Sequence, residues 1–225
     1  MLNGKPVIGI MPTSVYMKDD NPSNDYCSYT NTYVETILEC GGIPYFIPLA
    51  GEKVIPDAME MMDGLFLPGG LFVKEVNFEI IQYAYDRKLP ILGVCLGMQE
   101  IGMFSVRLYD KEKRNLVPIE TGVNHRPREI TRAEKDFYVH SIHVEHDSIL
   151  YRLFNKDDMM VNSLHRRTVT FIGPDFKITA KSPDGLIEGI EYIKDDRYIH
   201  GVQFHPELIR ELYPVYRDFI EKCRK

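Results

Sequence analysis

The sequence predicts an α/β protein in which helices cover both faces of a mostly parallel central sheet, giving a three-layer sandwich. Short β-rich runs alternate with helical patterns through the first half of the chain, as in right-handed βαβ units. Several of these runs are apolar throughout, which is typical of strands buried on both faces. The 225 residues and 44% hydrophobic content suffice for one buried core, so residues 1–225 are expected to form a single domain.

The elements of the first half follow from hydrophobic periodicity. Gly41-Gly42 ends the first predicted helix, because glycine readily takes the backbone conformation that closes a helix. In chain order, the sequence predicts a strand over 7–11, a helix over 31–40, strands over 43–47 and 64–67, a helix over 76–87, and a buried strand over 89–94. The polar stretch 12–29 is expected to be a long loop near a site.

The second half has closely spaced strands, which predict antiparallel additions to the sheet. The turn sequence Pro183-Asp184-Gly185 separates two of them. The predicted strands cover 138–144, 168–172, 177–181, 186–193 and 198–204, and a closing helix covers 207–223.

Composition excludes several classes of function. A formal net charge of -6 does not supply the basic face that nucleic-acid binding needs. The first residues lack a secretion signal, and no apolar stretch is long enough to cross a bilayer. The four cysteines have no paired spacing, which favours reduced thiols. We therefore expect a cytoplasmic protein that binds small molecules and neither nucleic acid nor membranes.

Cys95 is the candidate nucleophile, because it lies in a Gly-x-Cys-x-Gly pattern directly after the buried strand predicted over 89–94. Ligands collect at the carboxyl ends of parallel strands, and the start of the following helix favours a thiolate. Gly93 and Gly97 allow a sharp turn. The alternative interpretation is a buried structural cysteine, which this pattern disfavours.

His205 and Glu207 form the candidate acid-base pair. Positions i and i+2 of a strand share a face, so the carboxylate can orient the imidazole. His200, within the apolar strand predicted over 198–204, is expected to be a core residue. The turn after Leu67 contains Gly69 and Gly70, and a backbone N–H there, with that of Leu96, could hold an oxyanion.

These segments together resemble the class I glutamine amidotransferase-like superfamily, and within it the gamma-glutamyl hydrolase branch. The match runs nearly from end to end. It rests on residues 5–10, on Tyr33, on the segments 41–44 and 63–70, on Pro48, and on the segments 93–99, 161–165, 182–188 and 200–207. The resemblance implies a flavodoxin-like α/β fold and a cysteine-dependent amidohydrolase without a cofactor.

The resemblance also implies roles for individual residues. The catalytic residues would be Cys95 as nucleophile, His205 as base and Glu207 as its orienter, and Gly70 and Leu96 would donate to the oxyanion. The glutamyl pocket would be lined by Gln99, Asn162, Ser163, Leu164 and His165.

The chain departs from the family pattern on the side of the leaving amine. The segment between Gly70 and Cys95 is shorter than in relatives. After His165, where relatives often have a Gln two residues beyond the His, this chain has Arg166-Arg167. Together with Arg126 and Arg128, these arginines suggest a leaving group with negative charge, contacted by Arg167. A solvated basic surface is the alternative interpretation.

The histidines between 140 and 146 do not predict a metal site. His140 and His143 project to opposite faces of a β-rich run, which disfavours joint ligation. For His165, a substrate contact and a structural hydrogen bond both remain open.

The sequence thus predicts hydrolysis of a small gamma-glutamyl compound through a glutamyl thioester. Two alternatives stay open, a glutaminase component that delivers ammonia to a partner synthase and a binding module on the same fold. The oligomeric state is undetermined, and a homodimer is among the states that the sequence allows.

Overall fold

The computed structural model of the chain describes residues 1–16, 26–50, 53–126 and 137–224. Its strands are β1 (Val7–Ile10), β2 (Ser14–Tyr16), β3 (Tyr26–Ser28), β4 (Ile43–Phe46), β5 (Leu49–Ala50), β6 (Lys53–Val54), β7 (Gly64–Leu67), β8 (Ile91–Val94), β9 (Leu116–Pro118), β10 (His140–Val144), β11 (Asp158–Val161), β12 (Arg167–Val169), β13 (Phe176–Lys181), β14 (Ile187–Tyr192) and β15 (Ile199–Val202). Its helices are α1 (Asn31–Glu39), α2 (Pro56–Met59), α3 (Glu75–Asp86), α4 (Leu96–Arg107), α5 (Ile149–Phe154) and α6 (Pro214–Lys222).

The central sheet has nine strands in the order β11-β10-β13-β14-β15-β8-β7-β1-β4. The parallel group of strands consists of β4, β1, β7, β8 and β15. The remaining strands pair antiparallel, and they are β14, β13, β10 and β11. The predicted α/β fold, with a mostly parallel sheet and antiparallel strands added from the second half, is confirmed. One expectation is corrected, because β15 pairs parallel with β8 on one side and antiparallel with β14 on the other.

Two hydrophobic cores lie on opposite faces of the sheet. Successive strand residues point to opposite faces, so on β7 Phe66 packs in one core while Leu65 and Leu67 pack in the other. Helices α1, α5 and α6 cover the first core, and α2, α3 and α4 cover the second. His200 is fully buried in β15, as expected of a core residue, and burial lowers its pKa to about 4.

Some predicted elements differ from the observed ones. The strand expected over 168–172 is shorter and pairs with β9 in a separate two-stranded sheet. The helix expected over 207–223 consists of two 3-10 turns followed by α6, which begins at Pro214 because proline favours the first helical position. The stretch expected as a loop includes the β2–β3 hairpin, and residues 17–25 lie outside the described ranges. In the ranges described above, no helix is both long and apolar enough to span a bilayer.

Candidate active site

The carboxyl ends of three neighbouring parallel strands, β7, β8 and β15, form the edge at which the predicted site lies. The chain leaves these strands toward Gly70, Cys95 and His205 respectively. Val202 pairs with Val94, and the Cys95 amide donates to the Val202 carbonyl at 2.9 Å. The parallel pairing of β15 with β8 therefore brings the segment after β15 against Cys95.

Cys95 occupies a sharp turn between β8 and α4. Its φ of 54° and ψ of −105° are rarely adopted by a residue with a side chain, so the backbone is strained at this position. The turn packs very closely, because a Cβ atom on Gly97 would lie 2.1 Å from the Leu67 carbonyl oxygen. The structure thus contains the sharp turn that the Gly-x-Cys-x-Gly pattern predicted, with Cys95 at the start of a helix.

The His205 imidazole lies between Cys95 and Glu207. Its Nδ1 is 2.7 Å from Glu207 Oε1, and its Cε1 and the Cys95 Cβ lie 2.9 and 3.5 Å from the position that a Cβ atom on Gly69 would take. Burial by itself would lower the pKa of His205, but the charges of Glu207 and Cys95 outweigh burial and raise this pKa well above its usual value. The three side chains predicted to form the relay are thus brought together.

The predicted contact between His205 and Glu207 is present, but the reason given for it was wrong. The strand ends at Val202, and Pro206–Leu208 form a 3-10 turn with proline at its first position. This turn, and not the alternation of a strand, carries the Glu207 carboxylate back to the imidazole.

Asn162 fixes the backbone of His205. Its Oδ1 accepts from the His205 amide and its Nδ2 donates to the His205 carbonyl, each at 2.7 Å. Both polar ends of this fully buried side chain are therefore used on one residue. In this structure Asn162 positions His205, and its predicted contact with substrate stays a prediction.

Two tyrosines that the sequence analysis did not assign to the site support the relay. The Tyr33 hydroxyl accepts from the Gly69 amide at 3.0 Å and lies 3.3 Å from His205 Nδ1. Burial, and next the charge of Glu207, raise the pKa of Tyr33 well above its usual value, so it remains a hydroxyl. Tyr216 donates to Glu207 Oε2 at 3.4 Å. Tyr33 belongs to the segments that carry the family resemblance, whereas only helical periodicity marked Tyr216.

A cavity of about 140 Å³ opens beside Cys95. It is lined by Gly70, Leu71, Cys95, Gln99, Arg126, Leu164, His165, Arg166 and Arg167. It thus contains the candidate nucleophile, one predicted oxyanion residue, four of the predicted substrate residues and three arginines. Three of the four arginines that suggested an anionic leaving group, Arg126, Arg166 and Arg167, therefore line the cavity. The fourth, Arg128, lies outside the described residues.

The predicted oxyanion residues lie next to each other. A Cβ atom on Gly70 would stand 3.0 Å from Leu96 Cδ2. Leu96 is the first residue of α4, and the first amides of a helix have no acceptor within the helix. Both residues border Cys95, and their roles as oxyanion donors stay predictions.

Other predicted substrate residues are tied to neighbouring protein groups. Gln99 Nε2 donates to the Arg167 carbonyl at 2.8 Å and to Gln203 Oε1 at 3.0 Å. Arg167 donates to the Leu71 carbonyl, and Ser163 Oγ donates to the His125 carbonyl at 2.7 Å. Their substrate contacts are untested, and these bonds show how the cavity wall is fixed.

His165 lines the cavity and also belongs to a buried cluster that the sequence analysis did not predict. The cluster consists of His125, His140, His165 and Glu188, and one ligand-type atom from each lies within 4.8 Å of the others. His143 does project away from His140, as expected, and is exposed. The partners of His140 come from distant segments, which the local spacing did not reveal.

Comparisons with known proteins show what the chain is similar to. A family profile described as Peptidase C26 matches residues 6–74 and 73–207. Protein NtpR of Enterococcus hirae is 29% identical over 90% of the chain and 91% of its own length. The gamma-glutamyl-gamma-aminobutyrate hydrolase PuuD of Escherichia coli strain K12 is 26% identical over 97% of the chain and 94% of its own length. In structure, the chain is similar to the glutaminase domain of Trypanosoma brucei CTPS with bound acivicin, with a TM-score of 0.67 and 16% identity. The similarity covers 97% of this chain and 93% of that domain.

Proposed function

The chain belongs to the Peptidase C26 family, and from this premise we propose that it cleaves the gamma-glutamyl amide bond of a small compound and releases glutamate. The coarser assignment, a glutamine amidotransferase-like amidohydrolase, follows from the family and from its relatives. The observation that carries the finer proposal is the placement of one imidazole against the Glu207 carboxylate and beside Cys95, which itself lines a cavity.

The first half of the proposed reaction forms a thioester. The Cys95 thiolate attacks the carbon of the side-chain amide, and the carbonyl electrons move onto its oxygen. The amides of Gly70 and Leu96 hold this oxyanion, a contribution of about 3 kcal/mol for each donor. When the tetrahedral intermediate collapses, the carbon–nitrogen bond breaks, and His205 gives its proton to the departing amine.

The second half releases glutamate. His205, now neutral, takes a proton from water, and the resulting hydroxide attacks the thioester carbon. Collapse breaks the carbon–sulfur bond, which regenerates the thiolate and the protonated imidazole. Glu207 keeps the imidazole oriented and balances its charge in both halves. No group outside the described residues is needed for these proton transfers.

The substrate side of the cavity supports a small molecule with negative charge on its leaving group. A cavity of about 140 Å³ is well below the 300 to 1,000 Å³ of typical drug-sized sites. Arg126, Arg166 and Arg167 line it beside the nucleophile. Guanidinium groups bind carboxylates and phosphates in a forked geometry, so the amine that leaves would carry such a group.

The decisive experiment measures glutamate release from a panel of gamma-glutamyl amides that differ only in the leaving amine. We expect the wild type to act alone and to prefer anionic amines, and the Cys95→Ala variant to release no glutamate. Cys40→Ala, which removes a half-buried thiol outside the cavity, is the matched control and should keep activity. Undiminished release by Cys95→Ala would refute the proposal.

A glutaminase component that serves a synthase is the second candidate. Leu71, which lines the cavity, and the adjacent Phe72 are 61% and 73% exposed, and a partner protein could cover them. Such a component would hydrolyse glutamine only when its partner is present. Activity of the isolated chain on larger gamma-glutamyl amides, with none on glutamine, would exclude it.

A further inference from the structure

The buried cluster behind the cavity wall collects four side chains from four separate segments. His140 lies on β10 and Glu188 lies on β14. His165 follows β11, and His125 follows β9. All four are at least nine-tenths buried, with exposed fractions of 3%, 7%, 4% and 0% for His125, His140, His165 and Glu188. The proposed reaction uses none of their polar atoms.

Each imidazole in the cluster has its outer nitrogen bonded to a group that can only accept a hydrogen. His140 Nδ1 lies 3.0 Å from the Ser141 carbonyl, and His165 Nδ1 lies 3.1 Å from the Arg167 carbonyl. His125 Nε2 lies 3.0 Å from Asp184 Oδ2. The proton of each neutral ring is therefore on the outer nitrogen, and the inner nitrogen presents a lone pair.

The three inner nitrogens surround one carboxylate oxygen. Glu188 Oε1 is 3.7 Å from His125 Nδ1, 3.7 Å from His140 Nε2 and 3.5 Å from His165 Nε2. Within the described part of the chain, the inner nitrogens of His140 and His165 and both Glu188 oxygens have no hydrogen-bond partner. Among the described residues, the hydrogen-bond contact of the inner nitrogen of His125 is one of 3.4 Å with Ser163 Oγ, whose proton is donated to a carbonyl.

Hydrogen bonds from the imidazoles to Glu188 do not account for this arrangement. Distances of 3.5 to 3.7 Å are too long for a charge-assisted hydrogen bond. A metal ion accounts for the four facing ligand atoms, which lie within 4.8 Å of one another and would move closer together around the ion. Zinc binds imidazole nitrogen and carboxylate oxygen at about 2.0 to 2.2 Å, so neighbouring ligands of a tetrahedral site stand about 3.3 to 3.5 Å apart. Outer nitrogens held by carbonyls and a carboxylate are the usual support of zinc-binding histidines.

We propose that His125, His140, His165 and Glu188 bind one divalent transition-metal ion, with zinc as the best fit to three nitrogens and one oxygen. The protein ligands fill a tetrahedral shell and exclude solvent, so the ion is structural and does not take part in hydrolysis. It ties two strands of the antiparallel part of the sheet to the segment 162–165, which both positions His205 and lines the cavity.

The main experiment measures zinc bound to the full chain after loading and desalting, by elemental analysis. We expect one ion per chain in the wild type and in His143→Ala, and loss of that ion in His140→Ala. The two histidines lie on the same strand, and His143 is exposed, so it is the matched control. Equal zinc content in the two variants, or no bound zinc in the wild type, would overturn the proposal.

Two further measurements remain decisive if His140→Ala does not fold. X-ray absorption of the zinc-loaded wild type should show nitrogen and oxygen neighbours with imidazole scattering, whereas sulfur in the shell would place zinc on a cysteine and overturn the proposal. Asp184→Asn, which weakens the outer bond of His125 together with the bonds that Asp184 accepts from Thr121 and Ser182, should lower zinc affinity about 10- to 100-fold. Unchanged affinity in that variant would contradict the ligand set. None of these readouts depends on gamma-glutamyl hydrolysis.

Discussion

The two sides of the Cys95 cavity differ in how firmly their side chains are held. On the strand-end side, His205 is fixed at its backbone by Asn162 and at its ring by Glu207, and all three are buried. On the opposite side, Arg166 is exposed and Arg126 and Arg167 are half-buried. Within the described residues no carboxylate forms an ion pair with any of these three arginines.

This difference separates the two tasks of the proposed enzyme. Buried hydrogen bonds orient the strand-end side before any substrate arrives, which is what a reaction with a fixed geometry requires. Among the described residues no carboxylate offsets the positive charge of the arginine side, so a bound anion would not have to displace an ion pair there. The first region would determine the reaction and the second would determine which amine leaves.

The largest effect is expected from Glu207→Gln. The amide keeps the size of the side chain but removes the charge that raises the pKa of His205 and holds its ring. We expect kcat/KM to fall by about 10⁴-fold, as for loss of the orienting acid in a serine protease. The exposed Glu211→Gln is the control, and initial rates on one gamma-glutamyl amide suffice. A loss of less than tenfold would mean that the strand-end side is not the catalytic one.

Glu100→Gln tests how dry the interior is between α3 and α4, the helix that begins directly after Cys95. Glu100 lies on α4 and accepts a hydrogen bond from the Asn77 side-chain amide. Burial raises the pKa of Glu100 to about 8, although the hydrogen bond from Asn77 acts in the opposite direction. A raised carboxyl pKa means that the fold loses stability as pH rises from about 4.5 toward 8, because only the unfolded chain ionises freely.

The Glu100→Gln variant should escape that loss. We expect equal stability near pH 4, and an advantage over the wild type of about 3 kcal/mol at pH 7, from 1.4 kcal/mol for each unit of pKa. Urea denaturation at several pH values measures this difference, with the exposed Glu79→Gln on α3 as the control. Parallel pH curves for wild type and Glu100→Gln would show that water reaches this carboxyl.

Tyr33→Phe should have a smaller effect. The change removes a hydroxyl that accepts from the Gly69 amide and contacts His205, and it leaves the amide without its partner. We expect a loss of about 1 to 3 kcal/mol in the free energy of unfolding. Tyr216→Phe, whose hydroxyl makes only a 3.4 Å contact, should cost less. The reverse order in thermal or urea unfolding would mean that Tyr33 is not a main support of the relay.

The sequence predicted the parts of the site that depend on local chain geometry. Apolar runs predicted the strands of the parallel group, and glycines on both sides of Cys95 predicted the sharp turn that follows β8. These features were accessible because a buried strand and a turn each impose residue types at fixed spacing.

Several contacts that depend on tertiary packing were not predicted, although the family resemblance implied that Cys95, His205 and Glu207 meet. The parallel pairing of β15 with β8 is set by neighbouring strands and leaves no mark within β15. Tyr216 meets Glu207 because α6 packs across the sheet, and the histidine cluster joins positions more than ten residues apart. Amphipathic patterns report which face of an element is buried, but they do not report which side chains meet there.

Arg167→Gln tests the arginine side and should give the smallest of these effects. If the leaving group is anionic, loss of one guanidinium should raise KM about tenfold for anionic gamma-glutamyl amides and leave KM for neutral ones unchanged, since one charge-assisted hydrogen bond contributes about 1.5 kcal/mol or more. Arg167→Lys keeps the charge and should recover part of the loss. Steady-state kinetics on an anionic and a neutral amide of similar size decides the matter, because equal changes in both would make these arginines an ordinary solvated surface.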